Sequence, residues 1–145
     1  MSDAVSKEVP TIRSAAPTLH AVDMDPPPGR AEAAVADLLT ALGRDITNEH
    51  LADTPRRVAA SLIEMLTPRE FNMTTFPNDE RYEELVIVRN IPFHSLCEHH
   101  MLPFRGVAHV GYVPGERLVG LSKLARVVET FARDLQVPAR LTKQV

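Results

Sequence analysis

The chain has 145 residues, 44% hydrophobic and 24% charged, the size and make-up of one ordinary globular domain with a sizeable core. Its formal charge of -3 supplies no general basic field, so no nucleic-acid partner is expected and any phosphate site has to be a local cluster of Lys and Arg. A single cysteine excludes an internal disulfide framework, and no apolar run has the length of a membrane span or the pattern of a signal peptide. A reducing, cytoplasmic setting without a membrane partner is the expectation.

Residues 1–29 carry scattered Ser, Ala, Asp and Pro with no sustained periodicity and read as a flexible arm ending at the Pro26-Pro27-Pro28-Gly29 break. From Ala31, Val35, Leu38, Leu39 and Leu42 recur at helical spacing, and Gly43 stands where that helix would close. Asp53-Thr54-Pro55 offers a cap followed by proline in a first turn, and Val58, Leu62, Met65 and Leu66 form the next apolar face before Pro68. Residues 30–80 thus read as a helical region trailing into a loop over 67–80. The β-branched run from Glu84 to Ile91 and another over Val107–Val113 predict two strands, with a connection between them. Pro114-Gly115 suits a type II turn that would return Arg117–Val119 beside the second strand. A helix follows, with Ser122 as its cap and Leu124, Val127, Val128, Phe131 and Leu135 as its buried stripe. Pro138 starts a last, short helix.

The most informative stretch is Ser95-Leu96-Cys97-Glu98-His99-His100, where the sole cysteine and two of the six histidines stand beside a carboxylate. Cys97 and His100 are spaced so that one loop can present a thiolate and an imidazole to the same small cation, and zinc suits that pair best. The competing reading is a free cysteine acting as a small hydrophobe beside surface histidines.

Ser95-Leu96-Cys97-Glu98-His99-His100-Met101-Leu102-Pro103-Phe104, Gly106, and then Gly120-Leu121-Ser122-Lys123-Leu124-Ala125-Arg126 closely resemble GTP cyclohydrolase I. Thr54-Pro55-Arg56-Arg57-Val58 upstream and Arg140-Leu141-Thr142-Lys143-Gln144 downstream also match, so the likeness runs from about Arg30 to the end. The resemblance implies an α+β tunnelling fold: an antiparallel sheet with helices on one face, closed into a barrel by homo-oligomerisation, with active sites between subunits. On this reading residues 81–145 form a partial catalytic region behind the helical one. It implies hydrolytic opening of the imidazole ring of GTP, giving 7,8-dihydroneopterin triphosphate and formate, the entry to folate-type pterins. Cys97 and His100 would ligate zinc, which lowers the pKa of water toward about 7 and so activates it for attack on C8 of guanine. His99 would donate a proton to the opening ring, a task for which imidazole is suited near neutral pH. Lys123, Arg126 and Arg57 would hold the triphosphate, and Ser122 would serve the later sugar rearrangement. Without the resemblance, Lys123 and Arg126 would pass as an exposed helix face, Arg57 as a solvated first-turn residue and Ser122 as a cap. His20, His50, His94 and His109 are read as structural or surface residues.

Two departures matter. The family continues past the position of Val145 with a final pair of strands bearing a third zinc ligand, a cysteine, so the sequence is expected to be a C-terminally truncated piece of a longer enzyme. At Gln136-Val137-Pro138-Ala139-Arg140 the family usually has Gln-Glu where Pro138-Ala139 stand, and that glutamate reads the guanine edge by accepting hydrogen bonds. The alternative function is therefore a non-catalytic or altered-specificity relative that binds a nucleotide or pterin or modulates active subunits.

Overall fold

The computed structural model of the chain describes residues 28–145; the arm expected over residues 1–29 lies outside them, save that Pro28 and Gly29 already open the first helix. The elements run α1 (Pro28–Ala41), α2 (Thr54–Leu66), β1 (Thr75–Pro77), β2 (Val86–Cys97), β3 (Pro103–Tyr112), β4 (Arg117–Val119), α3 (Leu121–Ala132), β5 (Leu135–Gln136) and α4 (Pro138–Gln144). The described residues divide into two compact units, 28–67 and 68–145.

In the first unit α1 packs against α2. Helix α1 closes as its sequence requires: Gly43 takes φ +73°, its N–H donates to Thr40 O at 2.9 Å, and the Arg44 N–H donates to Leu39 O at 2.9 Å. This pairing satisfies carbonyls that a helix end otherwise leaves open, and the left-handed residue costs little because it lacks a Cβ. Helix α2 begins at Asp53 as expected, but the aspartate makes no side-chain cap. Its carboxylate instead accepts from Arg56 Nε and Nη2, both at 2.6 Å, and from Arg57 Nε at 2.8 Å. Two guanidinium groups one turn on outbid the backbone N–H groups for the same oxygens. Val58, expected on the inner face, is exposed, while Pro55 and Ala59 are buried.

The second unit is built on the antiparallel ladder of β2 and β3, which pairs Val86 with Tyr112 and runs on to Leu96 with Pro103. Both strands are longer than their β-branched runs, because pairing carries residues 93–96 and 103–106 into the ladder. A bulge interrupts it between Val88 and Ile91. There Asn90 adopts φ +59°, and its N–H is taken up by His109 Nδ1 at 3.2 Å. Along β3, Phe104, Ala108, Val110 and Tyr112 are half-buried and alternate with exposed Pro103, Arg105, Val107 and His109, as one covered sheet face dictates. Helix α3 packs on β2, burying Leu124, Val127 and Val128; Ile91 and Leu96 are buried in the strand. Each such side chain contributes about 1.5–3 kcal/mol by leaving water. The stripe stops at Ala132, since α3 ends there and Leu135 belongs to β5.

Gly106 faces Phe93 directly across the ladder, and a Cβ there would lie 2.5 Å from the tip of that ring. The ring is itself set edge-on to Phe104, with centroids 6.2 Å apart, so the glycine makes room for an aromatic pair.

Three pairings differ from expectation. Thr75–Pro77 lies in the stretch read as loop yet forms β1, and Arg117–Val119 pairs with it rather than with β3. Tyr112 explains the second point: its hydroxyl donates to Val119 O at 3.3 Å and accepts the Val119 N–H at 2.9 Å, so a side chain stands where a ladder partner was expected. Finally, β5 adds to β2 in parallel, pairing Leu96 with Leu135 and Cys97 with Gln136. The result is an α+β unit with a three-stranded sheet ordered β3-β2-β5 and a separate β1-β4 pair.

Candidate active site

Cys97 is the last residue of β2 rather than part of a free loop, and His99 and His100 follow it on a tight turn. The turn is closed by Met101 N–H donating to Cys97 O and by Cys97 N–H donating to Leu102 O, each at 2.8 Å. Met101 takes φ +55°, which bends the chain back into β3. On this frame Cys97 Sγ and His100 Nδ1 stand 3.5 Å apart. Zn–S and Zn–N bonds of about 2.3 and 2.0 Å at a tetrahedral angle place two such donors roughly 3.5 Å apart, so the pair fits one zinc ion.

The turn also lowers the Cys97 thiol from its ordinary value of 9.0 to about 7, first through the His100 side chain and next through the His99 backbone N–H. Both favour the thiolate, the form that binds a metal. His99 is exposed, with its ring edge-on to His100 at 6.1 Å between centroids. Among the described residues, no group of three or more His, Cys, Asp or Glu side chains is placed to hold a metal ion.

Ser122, Lys123 and Arg126 lie in the first turns of α3, with Ser122 and Arg126 exposed and Lys123 half-buried. Ser122 does not cap the helix, because α3 starts at Leu121 and the cap position belongs to Gly120, without a side-chain bond. The far end of α3 leads into β5, which pairs with Cys97. At about 1.5 Å per residue, Ser122 is carried roughly 15 Å along the axis from Ala132. Within this unit the expected residues therefore gather in two groups, one toward each end of α3. Arg57 belongs to the helical unit, where Asp53 holds it. Of the histidines left without a role, His50 is exposed, His94 and His109 lie on the exposed face of the ladder, and His20 falls outside the described residues.

Sequence reasoning passed over one set of contacts. Glu98, inside the Cys97–His100 turn, pairs with Arg140 of α4 at 2.8 Å, and Gln136 beneath them is almost fully buried. No local pattern joins positions so far apart in the chain.

No helix among the described residues is long and apolar enough to cross a membrane. Compared with known proteins, the GTP cyclohydrolase I family model matches residues 31–145. A GTP cyclohydrolase 1 from Mycolicibacterium gilvum (strain PYR-GCK) is 50% identical over 135 residues, covering 88% of this chain and 65% of its own length. One from Mycobacteroides abscessus is 48% identical, covering 89% and 64%. Another from Sulfurihydrogenibium sp. (strain YO3AOP1) is 47% identical, covering 80% and 62%. The chain thus spans less than two thirds of the length of these curated relatives. The match takes in the Cys97 turn, the start of α3 and the stretch around Arg140, and on that ground the chain belongs to the GTP cyclohydrolase I family.

Proposed function

We propose that the protein to which this chain belongs is a zinc-dependent GTP cyclohydrolase I, opening the imidazole ring of GTP to give 7,8-dihydroneopterin triphosphate and formate. The observation that carries the reading is the 3.5 Å separation of Cys97 Sγ and His100 Nδ1 on a turn that already favours the thiolate. Zinc, when bound, supplies Lewis-acid activation of water near neutral pH. Cys97 and His100 would hold it as two of its protein ligands. His99, exposed on the same turn, delivers a proton to the ring nitrogen as the C8–N bond of guanine breaks.

Lys123 and Arg126 provide cationic, donor-rich side chains for the triphosphate, and the family resemblance alone gives Arg57 a phosphate-binding role. Ser122 serves the sugar rearrangement. The distance along α3 between the phosphate group and the ligand turn is met in a homo-oligomer, where one subunit lends its α3 start to another's turn and the sheets close into a barrel. Closure also covers strand edges that invite uncontrolled pairing.

The test is incubation of the zinc-loaded protein, carried to its relatives' full length, with GTP. Formate and a fluorescent pterin should appear together; absence of both, with zinc content confirmed, refutes the activity.

One observation favours a second reading, binding of a nucleotide or pterin with weakened guanine selection. Ala139 is exposed at the start of α4, three residues from Cys97's ladder partner Gln136, and carries no acceptor where the family places a glutamate. Replacing Ala139→Glu is expected to tighten GTP binding about tenfold, the size of one recovered hydrogen bond to a charged acceptor. Titration calorimetry showing no change would mean that another group reads the guanine.

A further inference from the structure

The Cys97–His100 turn is braced from outside by a single side chain. Arg140 projects from α4 with three acceptors in reach: Nη1 meets Glu98 Oε2 at 2.8 Å, Nε donates to Gln136 Oε1 at 3.1 Å, and Nη2 donates to the Leu135 carbonyl. Gln136 is fixed in turn, because its Nε2 donates to Phe131 O and to Gln144 Oε1, both at 2.7 Å. A guanidinium so fixed loses little further freedom on pairing with a carboxylate. Glu98 is also tied through its backbone, whose N–H donates to Gln136 O at 3.1 Å. The residue between the two donors is therefore held by both main chain and side chain, and its carboxylate faces Arg140.

We propose that Arg140 and Glu98 are positioning residues that hold the Cys97–His100 turn in its two-donor geometry and keep the Glu98 carboxylate turned away from the ion. The inference rests on the zinc reading above for its consequence, though the bracing itself is a property of the turn. Both side chains are about a third to two fifths exposed, a setting in which an ion pair adds little to global stability. Its effect falls on local geometry, one step further out than partners bonded directly to metal ligands, whose loss typically changes metal affinity 10–100-fold.

The experiment uses cobalt(II), whose thiolate charge-transfer band reports the Cys97 bond, with affinity measured by chelator competition on the whole chain. Glu98→Ala and Arg140→Met should each weaken cobalt binding about tenfold or more. The double variant should be no weaker than Arg140→Met, and Arg140→Lys should recover part of the loss. In the metal-free protein both variants should speed amide exchange at Glu98 and Met101, while the melting temperature of Glu98→Ala stays near that of the parent. Glu98→Ala leaves the Arg140 contacts to Gln136 and Leu135 intact, so it decides the matter if Arg140→Met fails to fold. Unchanged exchange and unchanged cobalt affinity in Glu98→Ala would overturn the proposal. If the parent itself shows no thiolate band, Cys97 and His100 alone do not retain the ion, and the exchange measurement decides whether the turn is braced as stated.

Discussion

At the end of β2 the donor turn is tied by its own backbone bonds, by the parallel pairing with β5 and by Glu98 to Arg140, whereas at the start of α3 the side chains of Ser122, Lys123 and Arg126 make no hydrogen bond or ion pair among the described residues. Two regions joined by one helix are thus prepared differently. The zinc role proposed for the turn needs such fixed geometry, since a tetrahedral ion tolerates little error in donor separation. The triphosphate role proposed for Lys123 and Arg126 suits unpaired cations, because binding a polyanion then breaks no internal ion pair.

That contrast can be broken by substitution. The largest effect belongs to the donor turn: Cys97→Ala or His100→Ala should lower zinc retention about 100-fold or more, read by metal analysis after dialysis against a chelator. Retained stoichiometric zinc in either variant would remove the turn from the metal site. Next, Lys123→Ala and Arg126→Ala should each raise the KM for GTP roughly tenfold, with thermal stability within about 0.5 kcal/mol of the parent. A large loss of stability instead would mean that these cations support the fold.

Gly106→Ala comes third. The added methyl meets the Phe93 ring, and displacing that ring from Phe104 should cost about 1–2 kcal/mol in denaturant melts. A neutral result would show that the ring can move freely.

The smallest effect sharpens the electrostatic side of the contrast. Because the folded Cys97 thiol lies below its ordinary 9.0, its ionised form supports the folded turn most fully above that value, and the support fades as pH falls through about 7. Alkylation of this sole cysteine in metal-free protein should therefore show a midpoint near pH 7, and His100→Asn should move it upward. A midpoint unmoved by that change would assign the lowered value to the backbone donors alone.

How much of this was legible in the sequence depended on how far each signal reaches. The helices were, because apolar spacing and Gly43 act locally, and so was the closeness of Cys97 and His100, because one tight turn separates them. Strands β1 and β5 were not: segments of two or three residues carry no usable period, and only a distant partner makes them strands. The Pro114-Gly115 turn correctly announces a reversal, yet nothing near it reveals that the Tyr112 hydroxyl occupies the Val119 backbone groups and sends β4 to Thr75. Asp53 and Ser122 stand at plausible cap positions, but capping is a competition that neighbouring arginines and a one-residue shift of the helix start decide. Ala139 stood out only against the family's pattern.

The parallel pairing of β5 with β2 also sets an order of events during synthesis. Residues 95–97 emerge from the ribosome well before residues 134–144, which supply Ser95, Cys97 and Glu98 with their partners. The nascent cysteine therefore waits without its scaffold until the later segment folds back on it, a long-range closure that is slow compared with forming the neighbouring helix. A completed Cys97–His100 turn thus reports that this part of the polypeptide has finished folding.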